Sequence, residues 1–474
     1  MTISTLPKAS LKWARAVPAF SEHTMLEAPA DPAAAAVHLA AAIPGEEHAV
    51  YEREGTWHFA AGTAATVTVS PRQATCRAAG GIWTLPTHGR PVDRVAEALA
   101  ALGHEAGESR RVYGWAAFEL AHVLHTTLRQ TADEEPLIHL LVPRVDVALT
   151  PGRAQVQAVD GSWTAMIADA LTAMPDTAAA PAPRPLPGAE DIIASGRIAY
   201  RRAVARTIED IGAGKISKAV VSRAVPLPDG SQTDLGASYY AGRQANNPAR
   251  SFLFDLGGWQ AAGFSPETVV EVDEDGRVVT QPLAGTRALG QDADENRRLR
   301  AELLEDSKEV HEHAISVRLA CEELSTVCRP GSVAVDEFMT IKERGSVQHL
   351  ASRVVGRLGD EHGPWSAFAT LFPAITATGA PKAAALSALA RHEPGTRGLY
   401  GGAVFTADVR GSLDAALVLR SILRRHGRTW LRAGAGVMGS SDPDREYEET
   451  CEKLRSVAPH LRQIPGQQKH STQS

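Results

Sequence analysis

Residues 251–264 read SFLFDLGGWQAAGF. Two apolar, aromatic-rich runs flank Gly257-Gly258, and a glycine pair between such runs predicts a tight β-hairpin. A second hairpin is expected at Asp275-Gly276, between VVEV (269–272) and RVVT (277–280). Working outward, 198–213 suits a helix, 218–225 alternates as a strand, and 295–324 reads as one long helix. Strands are expected at 348–358, 401–406, 414–423 and 430–437, and a helix at 381–391. A closing helix starts at Asp442-Pro443, an N-cap residue followed by proline at the first helical position. The fold class is α+β with many antiparallel pairs. It is not a doubly wound nucleotide fold.

The stretch 174–187 (MPDTAAAPAPRPLP) carries no amphipathic pattern and predicts a linker. It separates an N-terminal lobe, 1–188, from a catalytic domain, 189–463, and residues 464–474 form a polar, flexible tail. The alanine-rich stretch 29–44 suits a short helix.

The chain has 474 residues, with 49 Lys+Arg against 55 Asp+Glu, a net charge of −6. This mildly acidic balance, without a basic block, excludes an electrostatic footprint for nucleic acid or a membrane surface. No apolar run reaches the ~18 residues needed to span a bilayer, and no signal pattern opens the chain. A soluble cytoplasmic protein is expected. The four cysteines, Cys76, Cys321, Cys328 and Cys451, form no CxxC pair and no secreted disulfide framework. Only nine of the basic residues are lysine, against forty arginines, so each lysine position is informative.

Two predicted helices carry a Glu-x-x-Glu pair: Glu309 and Glu312 in DSKEVHEH, Glu446 and Glu449 in DREYEETCEK. Spacing of three places each pair on one helix face. Two such faces across a cleft offer four hard oxygen donors suited to Mg²⁺ and an anionic substrate, while either pair alone is as readily a solvated face. Glycine-rich loops recur at 282–287, 376–382 and 432–436. Their backbone N–H groups, with Arg287 and Arg420, suit a carboxylate ligand, although none fits a P-loop or a dinucleotide fingerprint. Lys218 opens an apolar strand, where a partly desolvated amine could act as a base or a strand-end lysine could reach solvent. Glu267 is a cleft acid or a turn residue. His349 is a proton shuttle or a satisfied core histidine.

In this order, GFSPE, PLAGTR, SKEVHEHAISVR, ERGSVQHLASR, FPAITATGAPK, RGLYGGAV, LRAGAGV and EYEETCEKL resemble the chorismate-utilising enzymes. That group includes anthranilate synthase large chains, aminodeoxychorismate synthases, isochorismate synthases and salicylate synthases. The resemblance spans roughly 195–460 and is most similar to the salicylate synthase branch of siderophore biosynthesis, with YEREGTWHFAAG and YGWAAFEL adding weaker N-terminal matches. It implies the anthranilate synthase fold, a large two-lobed sandwich of mainly antiparallel sheets with helices outside.

Further implications follow from the resemblance. Lysine at the position of Lys218 accompanies water as nucleophile, and Ala284 stands where aminodeoxychorismate synthases carry a nucleophilic lysine. The tryptophan-feedback signature is absent, and no glutaminase segment or subunit is expected. The implied reaction adds water at C2 of chorismate and expels the C4 hydroxyl, giving isochorismate, then releases pyruvate to form salicylate. An isochorismate synthase lacking efficient lyase activity is the alternative. Lys218 is the implied general base, Glu267 the general acid, and His349 lies near the ring. Glu309, Glu312, Glu446 and Glu449 are the implied Mg²⁺ site, with Glu312 and Glu449 the more direct ligands. Gly285, Thr286, Thr376, Tyr400, Arg420, Gly434 and Lys453 are the implied substrate contacts. A monomer is expected. Gln281 and Gly401 depart from the pattern at positions without an implied catalytic role.

Overall fold

The computed structural model describes residues 12–87, 89–106, 110–127, 135–175, 183–227, 232–290, 292–345 and 347–464. The middle of the predicted linker (176–182), Ser346 and the tail from 465 lie outside the described residues.

The 251–264 hairpin forms as its sequence predicts. Arg250–Leu256 pairs antiparallel with Trp259–Ser265, and Gly257 and Gly258 both take positive φ (58° and 78°). The hairpin is the middle of a longer ribbon. On one side Arg250–Leu256 pairs with His48–Arg53; on the other come Ser421–Arg425, Arg428–Val437 and Lys218–Pro226. A second ribbon runs through Arg111–Ala116, Ala403–Asp408, Leu413–Leu417, Thr268–Val272 and Arg277–Thr280 to Val347–Arg357. That last strand also pairs with Leu283–Ala288 and Ala334–Arg344.

Two long strands, Thr56–Val69 and Ile138–Thr150, belong to both ribbons. Their register shifts between Thr63 and Ala65, beside Gly62 at φ 73°. Such a bulge bends a strand and lets it pass from one sheet into the next. Every ladder among the described residues is antiparallel. Buried side chains of both sheets, including Tyr51, Phe252, Phe254, Tyr113, Trp115 and Val404, form one cluster, the apolar filling of a sandwich. Helices cover the outside: Arg197–Gly212 and Pro443–Leu454 pack near Arg428–Val437, and Ser307–Ser325 packs on Leu283–Ala288. The ladders of His48–Arg53 with Arg250–Leu256, and of Arg111–Ala116 with Ala403–Asp408, join residues before the linker to residues after it. No helix among the described residues is long and apolar enough to cross a membrane.

Three expectations are corrected. The long helix at 295–324 is two helices, Ala293–Glu305 and Ser307–Ser325. Asp306 separates them in extended conformation, and its carboxylate accepts the N–H groups of Lys308 (2.9 Å) and Glu309 (3.2 Å). An aspartate offering those bonds caps a new helix better than it continues an old one. The strand at 414–423 breaks into Leu413–Leu417 and Ser421–Arg425, with Arg420 at φ 49° between them. The glycine-rich stretch at 282–287 is mostly strand, Leu283–Ala288, and its glycine makes a bulge.

Candidate active site

A cleft is walled by strands of both ribbons. Its walls come from Arg428–Val437, from Leu283–Ala288 and its neighbour Val347–Arg357, and from the two helices that carry the glutamate pairs.

Glu267 follows the central hairpin and is only 3% exposed. Its backbone is fixed on both sides: Leu417 N–H donates to its carbonyl (3.1 Å), and the Ser265 hydroxyl donates to the same oxygen (2.8 Å). The Thr376 hydroxyl donates to Oε1 at 2.6 Å. Burial outweighs these bonds and pushes the carboxyl up to about 8, so at neutral pH Glu267 keeps its proton. A carboxylic acid in that state can protonate a departing hydroxyl.

The bulge at Gly285 (φ 80°) shapes the opposite wall. It turns Thr286 so that its N–H donates to Glu309 Oε2 (3.1 Å) while its hydroxyl lies 3.1 Å from His349 Nδ1. His349 is buried, and its Nε2 lies 2.6 Å from Arg420 Nη2. Arg420 also donates through Nη1 to the Arg344 carbonyl at 2.7 Å. Among the described residues no carboxylate pairs with Arg420, although the residue is only 7% exposed. A buried cation without an acid is strongly costly, and an anionic ligand relieves that cost.

The four glutamates converge from their two helices. Glu309, Glu312 and Glu449 line the cleft, and Glu446 is fully buried behind them. Three lysines hold them: Lys218 on Glu312 (2.8 Å), Lys308 on Glu446 (2.9 Å) and Lys453 on Glu449 (2.8 Å). Burial, then repulsion from Glu449 and Glu312, pushes Glu309 up to about 7. For Glu446, burial and Glu449 outweigh Lys308 and raise the carboxyl. Burial opposes ionisation of Glu449 too, but Lys453 prevails and lowers it. Glu446 Oε2 is buried without a hydrogen-bond partner. Among the described residues no three His, Cys, Asp or Glu side chains stand close enough together to hold a metal ion. Carboxylates are hard oxygen donors of the kind a divalent cation takes, and one of the four here carries an orphaned oxygen.

Lys218 heads its strand with no exposed surface, and its Nζ also lies 3.4 Å from Ser316 Oγ. It does not itself line the cleft; Glu312 stands between. Tyr400 and Gly434 do line it, with Lys453 donating to the Gly434 carbonyl at 2.9 Å. The structure thus gathers Glu267, Gly285, Thr286, His349, Thr376, Tyr400, Arg420, Gly434 and Lys453 around one space.

Sequence reasoning passed over several neighbours. Lys308 and Ser316 hold the glutamate and lysine side chains just described. Behind Tyr400, Glu393 joins Arg397 and Arg432 in a buried cluster, and both guanidiniums lie over the Tyr400 ring. The scarcity of lysine was a signal for Lys308. Nothing in the sequence pattern pointed to Glu393.

The model of the family described as chorismate binding enzyme matches residues 46–459. The chain is 40% identical over 438 residues to a salicylate synthase of Mycolicibacterium paratuberculosis, covering 91% of this chain and 94% of that protein. It is 39% identical over 275 residues to anthranilate synthase component 1 of Haloferax volcanii, covering 57% of this chain and 52% of that one. Among solved structures, the menaquinone-specific isochorismate synthase MenF of Escherichia coli shares the fold with a TM-score of 0.68 at 20% identity, over 95% of this chain and all of that one. Anthranilate synthase component I of Streptococcus pneumoniae gives a TM-score of 0.68 at 21% identity, over 88% of this chain and 93% of that one. With a match over most of its length, the chain belongs to the chorismate binding enzyme family.

Proposed function

We propose that this protein is a Mg²⁺-dependent salicylate synthase, converting chorismate through isochorismate to salicylate and pyruvate. The observation that carries the reading is chemical. Glu267, an acid that holds its proton at neutral pH, lines a cleft whose Glu312 is bound by the buried amine of Lys218, and Ala284 offers no amine nucleophile on the cleft wall. The match to a salicylate synthase over 91% of this chain supports the branch, since the anthranilate synthase relative matches only 57% of it.

In this reading Lys218 takes the proton from the water that adds at C2, and Glu267 protonates the C4 hydroxyl, which leaves as water. Arg420 and Tyr400 hold the enolpyruvyl carboxylate, with Gly434 beside them, and Thr286 touches the C4 region. Glu312 and Glu449, with Glu309 and Glu446, would hold Mg²⁺, which supplies positive charge to the ring carboxylate. The second step transfers hydrogen from C2 to the enolpyruvyl methylene as the C–O bond breaks, releasing pyruvate and leaving the aromatic ring. It needs no additional acid or base.

The test is a chromatogram of purified protein incubated with chorismate and Mg²⁺. Salicylate and pyruvate in equal amounts are expected. Isochorismate accumulating alone would make the protein an isochorismate synthase, and unchanged chorismate would reject the reading entirely.

A further inference from the structure

We propose that His349 is a positioning residue for Arg420, fixed as the neutral tautomer with its proton on Nδ1, and does not carry a proton during turnover. The inference rests on the chorismate reading of the cleft and assigns a role within it.

A guanidinium has five N–H donors and no acceptor. Arg420 Nη2 lies 2.6 Å from His349 Nε2, so Nε2 must be the accepting nitrogen. The ring proton is then on Nδ1. That nitrogen faces the Gly285 carbonyl at 3.3 Å and the Thr286 hydroxyl at 3.1 Å. A carbonyl can only accept, so the Gly285 bulge, which sends this oxygen to the ring, selects the same tautomer from the other side. Burial first, then the Arg420 and Lys453 cations, hold the imidazole well below its ordinary value, in keeping with a neutral ring.

Arg420 needs such a support. It is buried, takes φ 49° at the break between two strands, and finds no acid among the described residues. His349 anchors one terminal nitrogen and the Arg344 carbonyl anchors the other. Both anchors hold the plane of the fork, and three N–H groups remain without protein partners among the described residues. Those three are the donors a substrate carboxylate can take. A proton shuttle would need Nε2 free to exchange with substrate, whereas here Arg420 covers it.

Nitrogen-15 NMR of the free wild-type protein should show the Nδ1–H tautomer at His349. Steady-state kinetics of three variants then separate the roles. His349→Ala should raise KM for chorismate about tenfold or more, the size of one hydrogen bond to a charged group, with kcat little changed. His349→Gln places an oxygen near the Nε2 position and should restore KM to within about threefold of wild type. His349→Asn places its oxygen near Nδ1 and should not. An Nε2–H tautomer, a kcat that falls sharply in both His349→Ala and His349→Gln, or a KM in His349→Gln as high as in His349→Ala, would overturn the assignment. Failure of the wild type to consume chorismate would instead reject the chorismate reading, and the tautomer would still be decided by the spectrum.

Discussion

Lys218 Nζ lies 2.8 Å from Glu312 Oε1, and no part of the lysine is exposed. The close packing is written into the backbone: a Cβ on Gly379 would stand 2.2 Å from the Lys218 carbonyl oxygen. Removing one partner of a buried ion pair leaves a charge without compensation, at a cost of about 3–5 kcal/mol. Lys218→Ala should therefore lose stability by that order in urea melts and lower chorismate consumption by about 10²–10⁴-fold, as loss of a general base does. The double variant Lys218→Ala with Glu312→Gln should recover most of the stability and none of the turnover. Turnover surviving in the single variant would remove Lys218 from the role of base.

Glu267 gives a pH prediction with a definite sign. Its folded carboxyl is raised to about 8, so the protonated, active acid is lost as pH rises through that value. Log kcat/KM for chorismate should bend downward above about pH 8. For stability, the folded state holds this proton between the ordinary carboxylate range and about 8 while the unfolded chain has released it. The contribution of Glu267 to stability is thus greatest at acid pH and falls as pH rises across that window. Glu267→Gln, which cannot ionise, should melt like wild type near pH 4 and at higher temperature than wild type at pH 9. It should also lose most turnover at every pH. Equal melting temperatures at pH 9 would show that the carboxyl is not buried as an acid.

Much of this site was legible before any coordinates, for reasons that differ by residue. Hairpins with glycine pairs are local, so 251–264 read correctly. The Glu-x-x-Glu pairs state a helix face, and spacing of three places both carboxylates there whatever the surroundings. Lysine scarcity held information too: Lys218, Lys308 and Lys453 each hold one of the four glutamates. What stayed hidden depends on tertiary context. Asp306 looks like any acidic residue within a helical stretch until the turn it caps is seen. Arg420 sits in an apolar run that reads as continuous strand, and its positive φ is stabilised by neighbours such as Phe264, whose N–H donates to its carbonyl at 3.1 Å. Gly285 announced a turn, but only the ladder with Val347–Arg357 shows that it is a bulge aiming Thr286.

Arg420 carries opposed demands of binding and strain. Loss of its charge-assisted bonds should raise KM for chorismate about 10–100-fold in Arg420→Ala, with Arg420→Lys intermediate because a lysine cannot hold both anchors. A non-glycine residue at φ 49° stores on the order of 1 kcal/mol. Arg420→Gly should therefore bind as poorly as Arg420→Ala while melting at higher temperature. Calorimetric melts of the two variants, beside their KM values, check both halves. An alanine variant as stable as the glycine variant would show that the backbone there is not strained.

The cation site can be tested without turnover. A Cβ added at Gly436 would stand 2.4 Å from Glu312 Oε1, and the strand backbone there does not need glycine's left-handed freedom. Gly436→Ala should still fold, because the obstructed atom is the end of a flexible side chain that can rotate aside, but it should lose part of the stability of the Lys218–Glu312 pair. The rotation would move Glu312 off both Lys218 and the proposed cation. Titration calorimetry with Mg²⁺ alone should then show binding weakened about tenfold or more in Gly436→Ala, and weakened further in Glu449→Gln, where a charged ligand becomes a neutral one. Wild type should gain melting temperature with added Mg²⁺, because a ligand that binds only the folded state stabilises it by mass action, and Glu449→Gln should gain little. If Gly436→Ala binds Mg²⁺ as tightly as wild type, Glu312 is not a ligand. Its carboxylate would then serve only to hold Lys218.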